Sequence, residues 1–130
     1  MRVFVDTSAL YALLDEDDLH HTQAVEILAR LQGSQLVTHA YAQVEALSLV
    51  SKRFGWRGAE RLLNTWFSVV EVEMVDSAVH QVALATFREA ASTRFSIVDR
   101  TSFAFMQANR LDTAFAFDPD FESAGFSLLG

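Results

Sequence analysis

The sequence predicts an α/β fold in three layers, with a mostly parallel central sheet between helices. Short apolar runs rich in Val and Phe alternate along the whole chain with segments of helical periodicity. Strands separated by helices form βαβ units, and such units build parallel sheets with helices on both faces. The chain has 130 residues, 51% of them hydrophobic, which suffices for a substantial core. We therefore expect one α/β/α domain over residues 1–130.

The first half of the chain predicts two strands and four helices. In order, they are a strand over 2–6, helices over 7–15 and 21–31, a strand over 35–38, and helices over 39–54 and 58–67. Each helical segment places its apolar residues on one face, at a spacing of three or four. Asp18 is expected to cap the second helix, and Gly33 and Gly55 are expected to end the second and third.

The second half continues the alternation. Its predicted elements are a strand over 69–75, helices over 77–91 and 97–110, a strand over 113–117, and a short terminal strand over 126–129. The strand segments are rich in Val and Phe, which favour a pleated sheet, and the long segments between them repeat at helical spacing. No linker or internal repeat divides the chain.

Four acidic residues are predicted to meet at one edge of the sheet. Asp6 ends the apolar run 3–5, and Asp118 ends the run 115–117, whereas Glu45 and Asp99 interrupt the apolar faces of helices near their starts. In parallel sheets the ligand crevice lies beyond the carboxyl ends of the strands. Burying an unpaired carboxylate is costly, and Mg²⁺ prefers carboxylate oxygens. The four acids therefore predict a site for a divalent cation.

Each acid also has a purely structural interpretation. Asp6 can cap the helix that follows it, Asp99 stands three residues after Ser96 as in a capping box, and Asp118 precedes a proline as in a turn. Glu45 has the weakest alternative, because no Lys or Arg lies three or four positions away to pair with it. One shared site explains all four positions better than four separate coincidences.

The composition excludes several classes of function. There is no Cys, which excludes disulfides, thiolate zinc sites and thiol nucleophiles. No apolar run approaches the roughly 18 residues of a membrane span, and the N-terminus reaches an acid too early for a secretory signal. We therefore expect a cytoplasmic protein. The four histidines form no metal-binding spacing and are predicted to be packing or surface residues.

The net charge of −7 counts against a nucleic-acid partner, which ordinarily binds a basic protein. The objection is partial, because without the four proposed site acids the charge is −7 + 4 = −3. Local fields also matter more than the total. The basic residues predicted to contact phosphates are Arg94, Arg100 and the group Lys52, Arg53, Arg57 and Arg61.

The acids and their flanking residues resemble the PIN-domain nucleases, and among these the VapC-type toxins of bacterial toxin–antitoxin pairs. The segments that carry the resemblance are VDTSAL at 5–10, VEAL at 44–47, SIVDRTSF at 96–103, AFDPDF at 116–121 and AGF at 124–126. They span the whole chain in family order. The resemblance implies a PIN-like fold and an Mg²⁺- or Mn²⁺-dependent endoribonuclease. It also implies a homodimer, silenced by an antitoxin whose C-terminal segment inserts near the active site.

The resemblance also assigns site residues. The family's acidic quartet corresponds to Asp6, Glu45, Asp99 and Asp118. Asp120 is implied as an accessory acid, and Ser8 and Thr101 as hydroxyls that support the site. We expect Asp6 and Asp99 to be the main metal ligands, with Asp118 and Glu45 completing the shell. Single-stranded or looped RNA is the expected substrate, because its bases can be splayed into a crevice.

Three other functions compete with the toxin. A free-standing PIN nuclease in RNA processing would carry the same residues, and a small reading frame just upstream would favour the toxin. A non-catalytic PIN-like binding module is disfavoured because all four acids are present. A receiver-type phospho-acceptor domain needs an Asp near mid-chain, and none lies between Asp18 and Asp76.

Overall fold

The computed structural model describes residues 1–130. Its strands are β1 (Arg2–Val5), β2 (Gln35–His39), β3 (Glu71–Glu73), β4 (Thr113–Phe115) and β5 (Ser127–Leu129). Its helices are α1 (Thr7–Leu14), α2 (His21–Arg30), α3 (Ala40–Asn64), α4 (Ser77–Ala90), α5 (Ile97–Ala108) and α6 (Asp120–Ser123). None of these helices is both long and apolar enough to cross a membrane.

The five strands form one sheet in the order β3-β2-β1-β4-β5, and every pair is parallel. The apolar strand β1 is central, with Phe4 opposite Val37 of β2 on one side and Ala114 of β4 on the other. The expected mostly parallel sheet is thus confirmed as wholly parallel. In this topology the residues that follow β1, β2 and β4 emerge at the same edge.

Two buried clusters cover the two faces of the sheet, as side-chain alternation along a strand requires. Val3, Val5 and Phe115 pack against α1, α2 and the buried side of α3. Phe4 points to the opposite face, where the buried residues of α4, α5 and α6 pack. The aromatic core on that face includes Phe105 and Phe121, whose rings lie about 6 Å from the ring of Phe4. These layers confirm the predicted α/β/α architecture.

The predicted break in the third helix is present as a kink. Gly55 has φ 71° and ψ −162° within α3, a left-handed conformation that glycine adopts without a side-chain penalty. The helical segment beyond it stops at Asn64, and the residues Trp66–Ser68 form a 3₁₀ turn. The two helices predicted around Gly55 are therefore present, as the two helical segments of α3 that this kink separates.

Two local predictions were wrong. Asp18 does not cap α2, because its carboxylate accepts the backbone N–H of His20, at 2.9 Å, and so closes a turn ahead of the helix. His20 occupies the N-cap position without a side-chain cap. The strand predicted over 69–75 forms only over Glu71–Glu73, at the edge of the sheet. The four-residue helix α6 was not predicted, since it is too short to show periodicity.

Candidate active site

A cleft of about 930 Å³ opens at the carboxyl edge of the sheet. All four acids of the predicted quartet line it, namely Asp6, Glu45, Asp99 and Asp118. Asp6 directly follows β1, Asp118 follows β4, and the other two lie in the N-terminal turns of α3 and α5. The fold therefore brings together side chains that are up to 112 positions apart in sequence, between Asp6 and Asp118.

Asp6 is the most buried of these acids, with 5% of its surface exposed. It caps α1, and the backbone N–H and the hydroxyl of Ser8 both donate to its Oδ2, at 3.1 and 2.7 Å. Burial raises the pKa of Asp6 to about 6, although the bonds from Ser8 favour the charged form. The nearby charges of Asp99 and Glu45 raise it further. The capping role predicted for Asp6 is real, but it does not neutralise the carboxylate.

Ser8 connects two strand ends. While its hydroxyl donates to Asp6, its oxygen accepts the backbone N–H of Phe117 at 3.0 Å. The segment after β4 is thereby connected to the segment after β1, and both Asp118 and Asp6 line the cleft. Ser8 thus has the position expected of a supporting hydroxyl.

Glu45 lies half-buried in the cleft wall, in the second turn of α3. Burial raises its pKa, a hydrogen bond from Thr7 opposes the shift, and the charge of Asp99 adds to it. No Lys or Arg lies three or four positions away along the helix. The charge of Glu45 is therefore not compensated by a basic residue of its own helix.

Asp99 combines two roles. Its Oδ2 accepts the backbone N–H of Ser96 at 3.1 Å, and its own N–H donates to the Ser96 hydroxyl at 3.0 Å. This capping box starts α5, and because a carboxylate has two oxygens it leaves one free for the cleft. Burial raises the pKa of Asp99, and the charges of Asp118 and Asp120 raise it further. The box fixes the position of the side chain without neutralising its charge.

Three carboxylates converge closely enough to share one cation. Asp99, Asp118 and Asp120 each offer an oxygen, and these oxygens lie within 4.8 Å of one another. The Asp118 Oδ1 also accepts the N–H of Asp120 at 2.9 Å, which is the turn predicted at the proline. Burial and the neighbouring Asp118 raise the pKa of Asp120. Carboxylate oxygens alone make this a donor set for a hard ion such as Mg²⁺ or Mn²⁺.

Thr101, predicted as a supporting hydroxyl, does not line the cleft. It is buried, and its hydroxyl donates to the carbonyl of Ile97 at 2.8 Å. This hydroxyl satisfies the backbone of its own helix.

The basic residues predicted to contact phosphates fall into three groups. Lys52 and Arg53 line the cleft, and Arg53 also approaches Asp15 at 3.9 Å. Arg57 and Arg61 line a separate pocket. The guanidinium groups of Arg94 and Arg100 lie 5.2 and 4.8 Å from the centroid of the Phe95 ring. Neither of these two lines the cleft, although the charge of Arg94 acts on Asp120.

Tyr11 and His20 are among the cleft residues that sequence reasoning missed. The imidazole of His20 stacks on the ring of Phe117, with centroids 4.5 Å apart and planes inclined by 7°. No local pattern distinguishes His20 from His21, and only the tertiary fold brings it against a residue 97 positions later.

A second polar group lies buried near the same edge. His39 ends β2, its Nε2 lies 2.8 Å from the Ser102 hydroxyl, and its Nδ1 accepts the N–H of Ala42 at 3.2 Å. Because the Ser102 hydroxyl donates to the carbonyl of Val98 at 3.0 Å, the bond with His39 places the proton on Nε2. Burial lowers the pKa of His39 to about 4. This histidine is a neutral packing residue, as predicted.

Comparison with known proteins agrees with this geometry. The family model described as "PIN domain" matches residues 3–127. The 23S rRNA-specific endonuclease VapC20 of Mycobacterium tuberculosis is 34% identical over 125 residues, which cover 95% of both chains. Its crystal structure superposes with a TM-score of 0.87, at 32% identity and 95% coverage of both chains.

Two more distant structures share the fold alone. VapBC2 from Rickettsia felis, bound to a promoter DNA fragment, gives a TM-score of 0.75 at 12% identity, covering 98% of this chain and 97% of the other. FitAcB from Neisseria gonorrhoeae gives 0.71 at 15% identity, covering 100% and 97%. The matched family model spans nearly the whole chain, and the acids that resemble the family's quartet share one cleft. This chain therefore belongs to the PIN domain family.

Proposed function

We propose that this chain is a metal-dependent endoribonuclease that acts as the toxin of a toxin–antitoxin pair. The observation that carries the proposal is the convergence of Asp6, Glu45, Asp99 and Asp118 in one cleft of a PIN domain. It is supported by the 34% identity, over 95% of both chains, to a relative named as a 23S rRNA-specific endonuclease. The proposed unit of function is the single domain over residues 1–130.

The cofactor in this proposal is Mg²⁺ or Mn²⁺. Asp99 is the shared member of two groups of acids, because its charge acts on Asp6 and Glu45 and it also lies within the trio with Asp118 and Asp120. We assign Asp6 and Asp99 as main ligands, Asp118 and Glu45 as residues that complete the shell, and Asp120 as an accessory acid. When bound, the ion would acidify a water molecule and stabilise negative charge on the phosphate.

The protein side of the reaction is proton transfer and orientation. A carboxylate whose pKa is raised toward neutrality is a better acceptor for the proton of an attacking water molecule. Glu45 meets this condition because burial raises its pKa. Ser8 holds the proposed metal ligand Asp6 in place through its two hydrogen bonds, so this side chain is oriented before RNA binds.

RNA is proposed to enter along the mixed wall of the cleft. Lys52 and Arg53 supply positive charge opposite to that of the acids, in a protein whose net charge is −7. A single strand or a loop can place its phosphate at the acids and its neighbouring phosphates near these two residues. This local field answers the objection raised by the acidic composition.

The antitoxin surface is proposed to include the bend of α3. Of the four aromatic residues in the segment 54–67, Trp56 is 68% and Phe54 42% exposed, whereas Trp66 and Phe67 are partly buried against the core. Trp and Arg are common at binding hot spots, and Arg53 lies beside Phe54. A Lys or Arg side chain of the antitoxin is also proposed to compete with the metal ion for the acidic residues. The homodimer remains a prediction, to be checked by light scattering of the purified protein.

Cleavage by the purified protein tests the enzyme, and growth tests the toxin. We expect a labelled single-stranded RNA to be cut in Mn²⁺ and left intact in EDTA, with an unrelated RNase inhibitor present throughout. Induction in cells is expected to arrest growth, and co-expression of the reading frame just upstream is expected to restore it. Absence of metal-dependent cleavage would contradict the nuclease. Cleavage without growth arrest would favour a free-standing PIN nuclease.

A further inference from the structure

Contacts within the protein hold both the backbone and the ring of His20 in place. Its backbone N–H donates to the Asp18 carboxylate at 2.9 Å, and the next residue, His21, bonds through Nδ1 to the carbonyl of Ala12 at 2.7 Å. Its ring lies nearly parallel to that of Phe117, at a centroid distance of 4.5 Å. Both the backbone and the plane of the ring are therefore fixed.

The ring nitrogens of His20 nevertheless form no hydrogen bond within the protein. The rings of His21, His39 and His80 each form a hydrogen bond with another residue, to Ala12, Ser102 and Tyr41 respectively. The ring of His20 is held by stacking alone and lines the cleft. A neutral imidazole offers one donor and one acceptor, which suits the edge of a nucleobase.

The stack is also rigidly connected to the acids. Phe117 directly precedes Asp118, and its backbone N–H donates to the Ser8 hydroxyl, which in turn donates to Asp6. A group bound at the ring of His20 thus keeps a fixed relation to a phosphate at the acidic wall. Fixed relations of this kind are what a specificity subsite requires.

We propose that His20, oriented by Phe117, forms a base-recognition subsite that reads the edge of a nucleotide next to the scissile phosphate. This inference rests on the proposed ribonuclease function and adds a determinant of sequence preference to it. His20 selects the base, and Phe117 is a positioning residue that acts through the plane of the imidazole. The alternative in which His20 contacts a phosphate predicts no preference among bases.

The test compares cleavage profiles on a pool of short single-stranded oligoribonucleotides randomised at their central positions. Wild type, His20→Phe and His20→Gln are each incubated with the pool in Mn²⁺, and the 5′ ends of the products are sequenced. His20→Phe retains an aromatic ring for the stack but has no ring nitrogens. His80→Phe is the matched control, because His80 bonds to Tyr41 and does not line the cleft.

We expect wild type to prefer one base at one position beside the cut, and His20→Phe to reduce that preference about tenfold, the loss of roughly one hydrogen bond. His20→Gln is expected to change which base is preferred, and His80→Phe to leave the profile unchanged. A profile unchanged in both His20 variants, or a fall in rate that is equal for all sequences, would overturn the subsite. Failure of wild type to cut both this pool and a looped RNA in Mn²⁺ would instead overturn the proposed nuclease itself. Thermal melting of each variant confirms that it is folded.

Discussion

Asp6 and His39 occupy equivalent places at neighbouring strand ends, yet the fold treats them in opposite ways. Asp6 follows β1 and caps α1, whereas His39 ends β2 and caps α3, and each accepts a backbone N–H from the helix it starts. His39 is buried in its neutral form with a hydrogen bond on both ring nitrogens, and its pKa falls to about 4. Asp6 has a pKa of about 6 and faces other acids across a cleft.

The difference teaches how to separate a functional buried group from a structural one. Burial alone does not distinguish the two, because both residues are almost completely buried. Both ring nitrogens of the neutral His39 have a hydrogen-bond partner within the chain. Asp6 retains an unneutralised charge, because the charged side chains that act on it are the acids Asp99 and Glu45. The uncompensated charge of Asp6 therefore distinguishes the functional group from the structural one.

The largest expected effect is on cleavage. Asp99→Asn keeps the size of the side chain but removes the charge shared by both groups of acids, so we expect RNA cleavage in Mn²⁺ to fall at least about a hundredfold. Asp6→Asn is expected to behave alike. The measurement is the initial rate on a labelled single-stranded RNA.

Asp76→Asn is the matched control for this loss. Asp76 caps α4 by accepting the N–H of Val79 at 2.8 Å, and it lies outside the cleft. Since Asn also caps helices well, this variant is expected to retain wild-type activity. Equal activity of Asp99→Asn and wild type would remove Asp99 from the ligand set.

The second effect is on the free energy of unfolding. We expect this free energy to rise when Asp6 is replaced and to fall when His39 is replaced. In EDTA at neutral pH, Asp6→Asn removes a buried charge and is expected to raise the free energy of unfolding by about 1–3 kcal/mol. His39→Leu leaves the Ser102 hydroxyl and the Ala42 N–H without their partner, and is expected to lower it by about 2–4 kcal/mol. Urea denaturation measures both. A destabilised Asp6→Asn would show that the charge of Asp6 is already compensated within the chain.

The third effect is the pH dependence of that difference. The folded pKa of Asp6, about 6, lies above its ordinary value of 3.8, so its contribution to stability is complete below pH 3.8 and is lost as the pH rises through 6. His39 acts in the other direction, because its pKa falls from 6.5 to about 4, and its contribution is lost as the pH falls from 6.5 to 4. In wild type the two trends oppose each other.

Comparison of Asp6→Asn with wild type isolates the contribution of the Asp6 carboxyl to this pH dependence. In EDTA, the advantage of Asp6→Asn over wild type should be small at pH 4 and grow by about 2 kcal/mol by pH 6.5. Titrating groups that do not interact with Asp6 cancel in the difference, whereas Asp99 and Glu45 add to it, because their charges act on Asp6. Urea denaturation at half-unit pH intervals measures it. An advantage that is the same at every pH would mean that Asp6 titrates near its ordinary value.

Most of the fold and the acidic quartet could be predicted from the sequence because both depend on local sequence patterns. Asp6 and Asp118 each end an apolar run, and the alternation of strands and helices places such ends at one edge. His20 carried no such signal, since its role depends on stacking against Phe117 across the fold. The closeness of Asp120 to Asp99 depends on α6, which is too short for its pattern to show.

The smallest expected effect separates the two hydroxyls that the family resemblance implied as supports. Ser8 bonds to Asp6 and holds Phe117, so Ser8→Ala should loosen the cleft wall and reduce cleavage about tenfold, equivalent to about 1.4 kcal/mol. Thr101 bonds only to the Ile97 carbonyl of its own helix, and Thr101→Val keeps its shape. We expect this variant to cut RNA within about twofold of wild type, because its lost bond lies away from the acids. Cleavage rates at saturating Mn²⁺, together with melting curves, distinguish the two. A loss in Thr101→Val equal to that in Ser8→Ala, without a change in melting, would show that Thr101 acts on the site by a route other than its contact in α5.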